Sequence, residues 1–197
     1  MSHLLENYIS IFCYSIYIRV LIKTMGRLYI MKKYFFILLF ILVFLLFGVN
    51  YKYSKFDLIS NPSLSKETIN TGENYYLGYG LKWNGLIKPT LVSIEIRGTD
   101  GLILDKNHEQ LETALFMDRQ DHTGTLDEAT FIENSEKGYI DYVEVDDASI
   151  EDTNTLVAKI NLKDENYYNA GNTIILKYRI LGLTKKQFIE IRSFFYE

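Results

Sequence analysis

The sequence predicts an all-β fold, an antiparallel β-sandwich displayed behind one N-terminal transmembrane helix. Three observations predict it. Tyr34–Tyr51 (YFFILLFILVFLLFGVNY) is 18 residues without a charge. Beyond it, apolar residues recur at every second position, the period of strands with one buried face. Those runs are separated at short spacing by Asn-Gly, Asp-Gly and Lys-Gly turn signals, the rhythm of sheets built from hairpins.

At the rise of a helix, Tyr34–Tyr51 covers roughly 27 Å, close to the hydrocarbon thickness of a bilayer. Residues 31–51 are therefore expected to be a transmembrane anchor. The preceding residues 1–30 read as a cytoplasmic leader. Tyr8–Ile22 within it is apolar but interrupted by Arg19. Met31-Lys32-Lys33 resembles a natural n-region directly before an apolar segment, so Met25 or Met31 competes with Met1 as the true start. The apolar run is longer than a secretory h-region, and Gly48–Tyr53 offers no pair of small residues spaced for cleavage, so the anchor is expected to be retained.

Charge divides sharply at the anchor. Residues 1–51 hold Arg19, Lys23, Arg27, Lys32 and Lys33 against Glu6 alone. The rest of the chain carries the excess of acids that brings the total to −4. Bases beside a transmembrane helix stay cytoplasmic, which puts the N-terminus inside the cell membrane and the C-terminal domain outside; Lys52 and Lys55 oppose this weakly. An acidic outer domain repels phosphate backbones, so nucleic acid is an unsuitable partner. Cys13 is the single cysteine. The outer domain thus has neither a disulfide nor a thiol nucleophile and must fold on its core alone. Abundant Ile, Lys, Asn, Tyr and Phe are residues of AT-rich codons and point to a low-GC bacterial genome.

In chain order, Ser54–Gly72 is polar, contains Pro62 and shows no sustained period. It reads as a juxtamembrane linker spanning residues 52–73. The β-sandwich is expected over 74–197. In Asn74–Trp83, residues Tyr75, Leu77, Tyr79, Leu81 and Trp83 share one face. Asn84-Gly85 turns the chain into Pro89–Arg97, with Val92, Ile94 and Ile96 inward. Asn107–Asp118 is ambiguous, because Leu111, Leu115 and Phe116 are spaced like one helix face. Arg119–Glu128 reads as a loop. Ala129–Glu133 and Tyr139–Val145 read as strands around Lys137-Gly138, and Asp146–Asp152 as an acidic connection. Leu156–Leu162 and Ile174–Ile180 alternate cleanly around the turn Asn169–Asn172, and Gln187–Phe195 reads as the final strand. The outline of about seven to nine strands is similar to that of immunoglobulin-like ectodomains, in architecture only. The Cys…Trp…Cys pattern of antibody domains is absent, and Trp83 stands alone.

Four constellations bear on chemistry. Ser63-Leu64-Ser65-Lys66 matches S-x-x-K, but the companion S-D-N and K-T-G motifs are missing. His108 and His122 are too few for a zinc site without cysteine, and read as solvated loop residues. Asp118–Asp152 is rich in carboxylates. Asp118–Gly124 faintly resembles a calcium loop, but its glycine is one position late and the terminal glutamate is missing. The expectation is a solvated acidic face, with Asp146, Asp147, Glu151 and Asp152 as the candidate divalent-cation (Ca2+) ligands. Tyr75, Tyr79 and Trp83 could stack on sugars, but they share a face with Leu77 and Leu81 and read as core.

The expected function is non-enzymatic: a single-pass membrane protein, held in lipid by Tyr34–Tyr51, whose acidic β-sandwich binds a cationic protein, peptide or calcium at the cell surface. The alternatives are a small envelope hydrolase or transferase, and a membrane-tethered immunity or regulatory factor acting through its helix.

Overall fold

The computed structural model describes residues 32, 34–145, 150–167 and 171–196. The expected leader, Asp146, Asp147 and part of the Asn169–Asn172 turn lie outside them. The chain divides into two units, residues 1–49 and residues Asn50–Glu197. One helix, α1 (Tyr34–Tyr53), is long and apolar enough to cross a membrane. Large apolar side chains such as Phe36, Leu38 and Phe44 stand exposed along it. Its sequence contains no proline, and its backbone bonds close within the helix, as an apolar surrounding requires.

The second unit is mostly antiparallel sheet. In chain order its strands are β1 (Lys55–Leu58), β2 (Leu64–Ser65), β3 (Asn74–Asn84), β4 (Thr90–Arg97), β5 (Ile103–Leu104), β6 (Leu111–Asp118) and β7 (Gly124–Asp127). A helix, α2 (Glu128–Glu136), follows, and then β8 (Tyr142–Glu144), β9 (Thr153–Leu162), β10 (Thr173–Ile180), β11 (Leu183–Glu190) and β12 (Phe195–Tyr196). The larger sheet runs β1-β3-β9-β6-β8, and β7 joins β3 beyond the end of β1. The second sheet runs β11-β10-β4-β5. A short parallel pair, β2 with β12, ties Leu64 beside Phe195.

One hydrophobic core fills the space between the two large sheets. The odd face of β3 (Tyr75, Leu77, Tyr79, Leu81, Trp83) and the even faces of β9 (Leu156, Ala158, Ile160) and β10 (Ile174, Leu176, Tyr178, Ile180) supply most of it. Period-two alternation dictates this directly, since a one-residue slip would turn every apolar group outward. Phe56, Trp83 and Tyr178 form an aromatic corner with centroids 4.9–5.5 Å apart. The Trp83 indole nitrogen donates to the Ile87 carbonyl at 3.1 Å. The aromatic row of β3 is thus interior.

Several expectations are corrected. Residues 52–73 are not a linker: β1 pairs with β3, Phe56 is 2% exposed, and Leu64 is tied to the C-terminal segment by its N–H to the Phe194 carbonyl at 2.7 Å. Two strands this short carry too few residues for alternation to register. The anchor expected over 31–51 overlaps the second unit, which takes in Asn50 and Tyr51. Ala129–Glu133 is helix rather than strand. Its β-branched and aromatic residues read as strand, but Asp127 caps the helix by accepting from the Thr130 N–H at 2.7 Å. Gly138, at φ 70, closes the helix C-terminus, donating to the Ser135 carbonyl. Leu111–Asp118 resolves as strand, with Leu111 and Met117 inward, and part of the expected loop at Arg119–Glu128 is β7. The last long strand begins at Leu183, because Leu181 and Gly182 both take positive φ and turn a tight hairpin.

Candidate functional site

The outer face of the larger sheet is not bare. Gly78 and Gly80 face outward on β3, and a Cβ at either would collide with covering chain: with the His122 carbonyl 2.7 Å from position 78, and with Ile59 2.8 Å from position 80. Glycine here permits close backbone approach. Beside them, Tyr76 stacks on Phe131 of α2 at 4.1 Å and 12°. Tyr142 of β8 lies 5.6 Å from Phe131 and 6.4 Å from Phe116. The Tyr76 hydroxyl donates to Glu128 at 3.2 Å, and Lys159 stands over the Tyr76 ring at 5.8 Å. This outer cluster holds α2 on the sheet, although α2 has no fully buried residue. Burial pushes the Tyr76 phenol well above its ordinary value, with the Glu128 carboxylate adding to the effect. Burial, with a smaller contribution from Asp118, raises Tyr142 to about 12.

α2 and β8 gather the acidic residues. Asp127, Glu133, Glu136 and Glu144 are exposed. Lys137 pairs with Glu133 at 2.5 Å, and Arg119 with Asp141 at 3.6 Å. The Thr130 N–H holds the Asp127 carboxyl below its ordinary range. Two bases against this many carboxylates leave the surface negative.

At the end of β6, Asp118 is buried, and its carboxylate organises the following loop. Its oxygens accept from the N–H groups of Gln120 at 3.0 Å and His122 at 2.9 Å, and one lies 2.9 Å from His122 Nδ1. The Asp118 side chain is 0% exposed and that of His122 is 49% exposed. Nε2 is therefore the ring nitrogen left for solvent. The sequence reading missed this pair, because an i, i+4 Asp–His spacing in a non-helical loop carries no periodic signal. His108 does something different: its Nδ1 accepts from the Leu111 N–H at 3.3 Å, and its ring lies 5.2 Å from Tyr167.

A cleft of about 530 Å³ opens elsewhere in the second unit, lined by Ile69, Asn70, Leu162, Glu165 and Phe195 among others. Lys66 also lines it. The Ser63–Lys66 segment is extended through β2, with Lys66 starting a short 3-10 turn. The lysine is not one α-helical turn from the serine, so that motif is not assembled.

Of the four expected cation ligands, Asp146 and Asp147 lie outside the described residues. Glu151 pairs with Lys88, and its N–H donates to Asn154 Oδ1 at 2.8 Å. The Asp152 carbonyl accepts from the Trp83 N–H at 2.8 Å. A divalent ion at Glu151 would compete with the Lys88 ammonium group. Among the described residues, no three or more His, Cys, Asp or Glu side chains come together as metal ligands. No known protein family, curated protein or solved structure matches the chain.

Proposed function

We propose that the protein is a single-pass membrane protein that presents an immunoglobulin-like β-sandwich outside the cell and engages a cationic protein or peptide through the acidic surface of α2 and β8. The observation that carries this reading is the exposure of Glu133 and Glu136 on α2 and of Glu144 on β8, two elements linked by the packing of Phe131 against Tyr76 and Tyr142. A negative patch on a fixed scaffold steers and orients a positive partner at little cost in ordering.

The test uses the full chain in detergent micelles with a fluorescent oligolysine peptide as probe. Binding is expected to weaken with added salt, and to weaken several-fold in the double variant Glu133→Lys, Glu136→Lys. Binding unchanged by both would overturn the assignment of the surface.

One observation favours a second reading, an envelope hydrolase. A buried carboxylate that fixes one nitrogen of a half-exposed imidazole is the orienting half of an acid–base site. In that case His122→Ala would abolish ester hydrolysis by the purified chain while leaving oligolysine binding intact.

A further inference from the structure

We propose that the second unit has a lipid-facing foot, formed by the turn around Leu86 and the β10–β11 hairpin tip at Leu181–Leu183, which rests on the same membrane that α1 crosses. This rests on the membrane reading of α1 and adds a second, independent contact with lipid.

Both turns are joined to the last turn of α1 by hydrogen bonds within the second unit. The Leu86 N–H donates to Asn50 Oδ1 at 3.0 Å. The Tyr51 hydroxyl donates to the Thr184 carbonyl at 3.3 Å. Lys185 donates to the carbonyls of Tyr51 at 3.1 Å, Lys52 at 3.3 Å and Ser54 at 2.5 Å. An ammonium group at this helix end supplies the donors that the last carbonyls lack and complements the dipole there. Burial holds the Lys185 pKa below its ordinary value. The hydrogen bonds to Asn50 and Tyr51 therefore bring the two turns to the point in the chain where the uncharged run stops.

The side chains at these turns are the wrong ones for water. Leu86 is 89% exposed, Leu181 53% and Leu183 58%. The positive φ at Leu181 is unfavourable for a leucine, so an asparagine or glycine would serve the turn better. Tyr53, 66% exposed, belongs to a residue type enriched at the headgroup level. Lys52, Arg179 and Lys186 are exposed on the same elements and suit anionic headgroups, their apolar stems lying along the interface. Apolar tips beside basic residues match a bilayer surface better than an acidic protein partner, which would leave the leucines uncovered.

The test is bromolipid quenching of the full chain in vesicles of phosphatidylcholine with phosphatidylglycerol. In a Cys13→Ser background, an environment-sensitive fluorophore is attached to Leu86→Cys, Leu183→Cys, Leu42→Cys in α1, or Ile132→Cys on α2. The expected result is loss of emission in brominated lipid at positions 42, 86 and 183, and none at 132. Quenching at 42 without quenching at 86 and 183 overturns the foot and leaves the anchor standing. Absence of quenching at 42 overturns the anchor and the foot together. If 86 and 183 are shielded from aqueous quencher but not quenched by bromolipid, a second copy of the chain covers them and the lipid assignment fails.

Discussion

At the scale of single residues, the core encloses two whole tyrosines, Tyr79 and Tyr178. Tyr79 is fully buried, and its hydroxyl has no partner among the described residues. Burial raises its pKa well above the ordinary 10.0. Tyr178, also fully buried, donates to Gln187 Oε1 at 3.1 Å, and burial lifts it to about 12. A phenol with a raised folded pKa ionises more easily in the unfolded chain. Its contribution to stability is therefore complete below pH 10 and lost as pH climbs through about 12. Ultraviolet titration of the chain in detergent is expected to show buried tyrosines ionising only as pH climbs through about 12, together with loss of the near-ultraviolet dichroism of the core. Ionisation of every tyrosine near pH 10 with the dichroism intact would contradict this burial. The alternation of Tyr75, Tyr79 and Trp83 with Tyr76, Gly78 and Gly80 made the interior face readable in advance. The orphaned hydroxyl of Tyr79 was not readable, because hydrogen-bond satisfaction depends on neighbours distant in sequence.

At the scale of elements, the two large sheets meet at a corner where β1 and β11 are both edge strands. Gln187 bridges them: its carbonyl oxygen accepts from the Phe56 N–H at 2.9 Å, and its amide donates to the Phe56 carbonyl at 2.5 Å. One side chain thus takes the place of a missing neighbouring strand and blunts an edge that could otherwise recruit another chain. Gln187→Ala is expected to destabilise the domain by about 2 kcal/mol, since both Phe56 groups lose their partners. Denaturant unfolding followed by Trp83 fluorescence measures it, and a change within about 0.5 kcal/mol would show that water replaces the bridge at no cost. Strands β3, β4, β9 and β10 were legible because each is long enough for period two to be unmistakable. β1, β2 and β7 were not, being 2–4 residues long. α2 was misread because Phe131 and Ile132 look strand-like, whereas its cap at Asp127 and its stop at Gly138 decide the matter.

At the scale of the whole chain, acidic and basic residues are segregated. The described segment 118–144 carries Asp118, Asp121, Asp127, Glu128, Glu133, Glu136, Asp141 and Glu144 against Arg119 and Lys137. Strands β10 and β11 carry Lys177, Arg179, Lys185 and Lys186 against Glu190 alone. Proposed as a membrane-tethered binder, the protein would offer an acidic surface to a cationic partner and reserve its basic hairpin for lipid headgroups. The proposed function requires α1 to cross the membrane with the second unit outside. Labelling intact cells with a membrane-impermeant maleimide tests this most directly, using Glu136→Cys in the Cys13→Ser background. Labelling in intact cells, no greater after lysis, is the predicted result; labelling that appears only after lysis would contradict it.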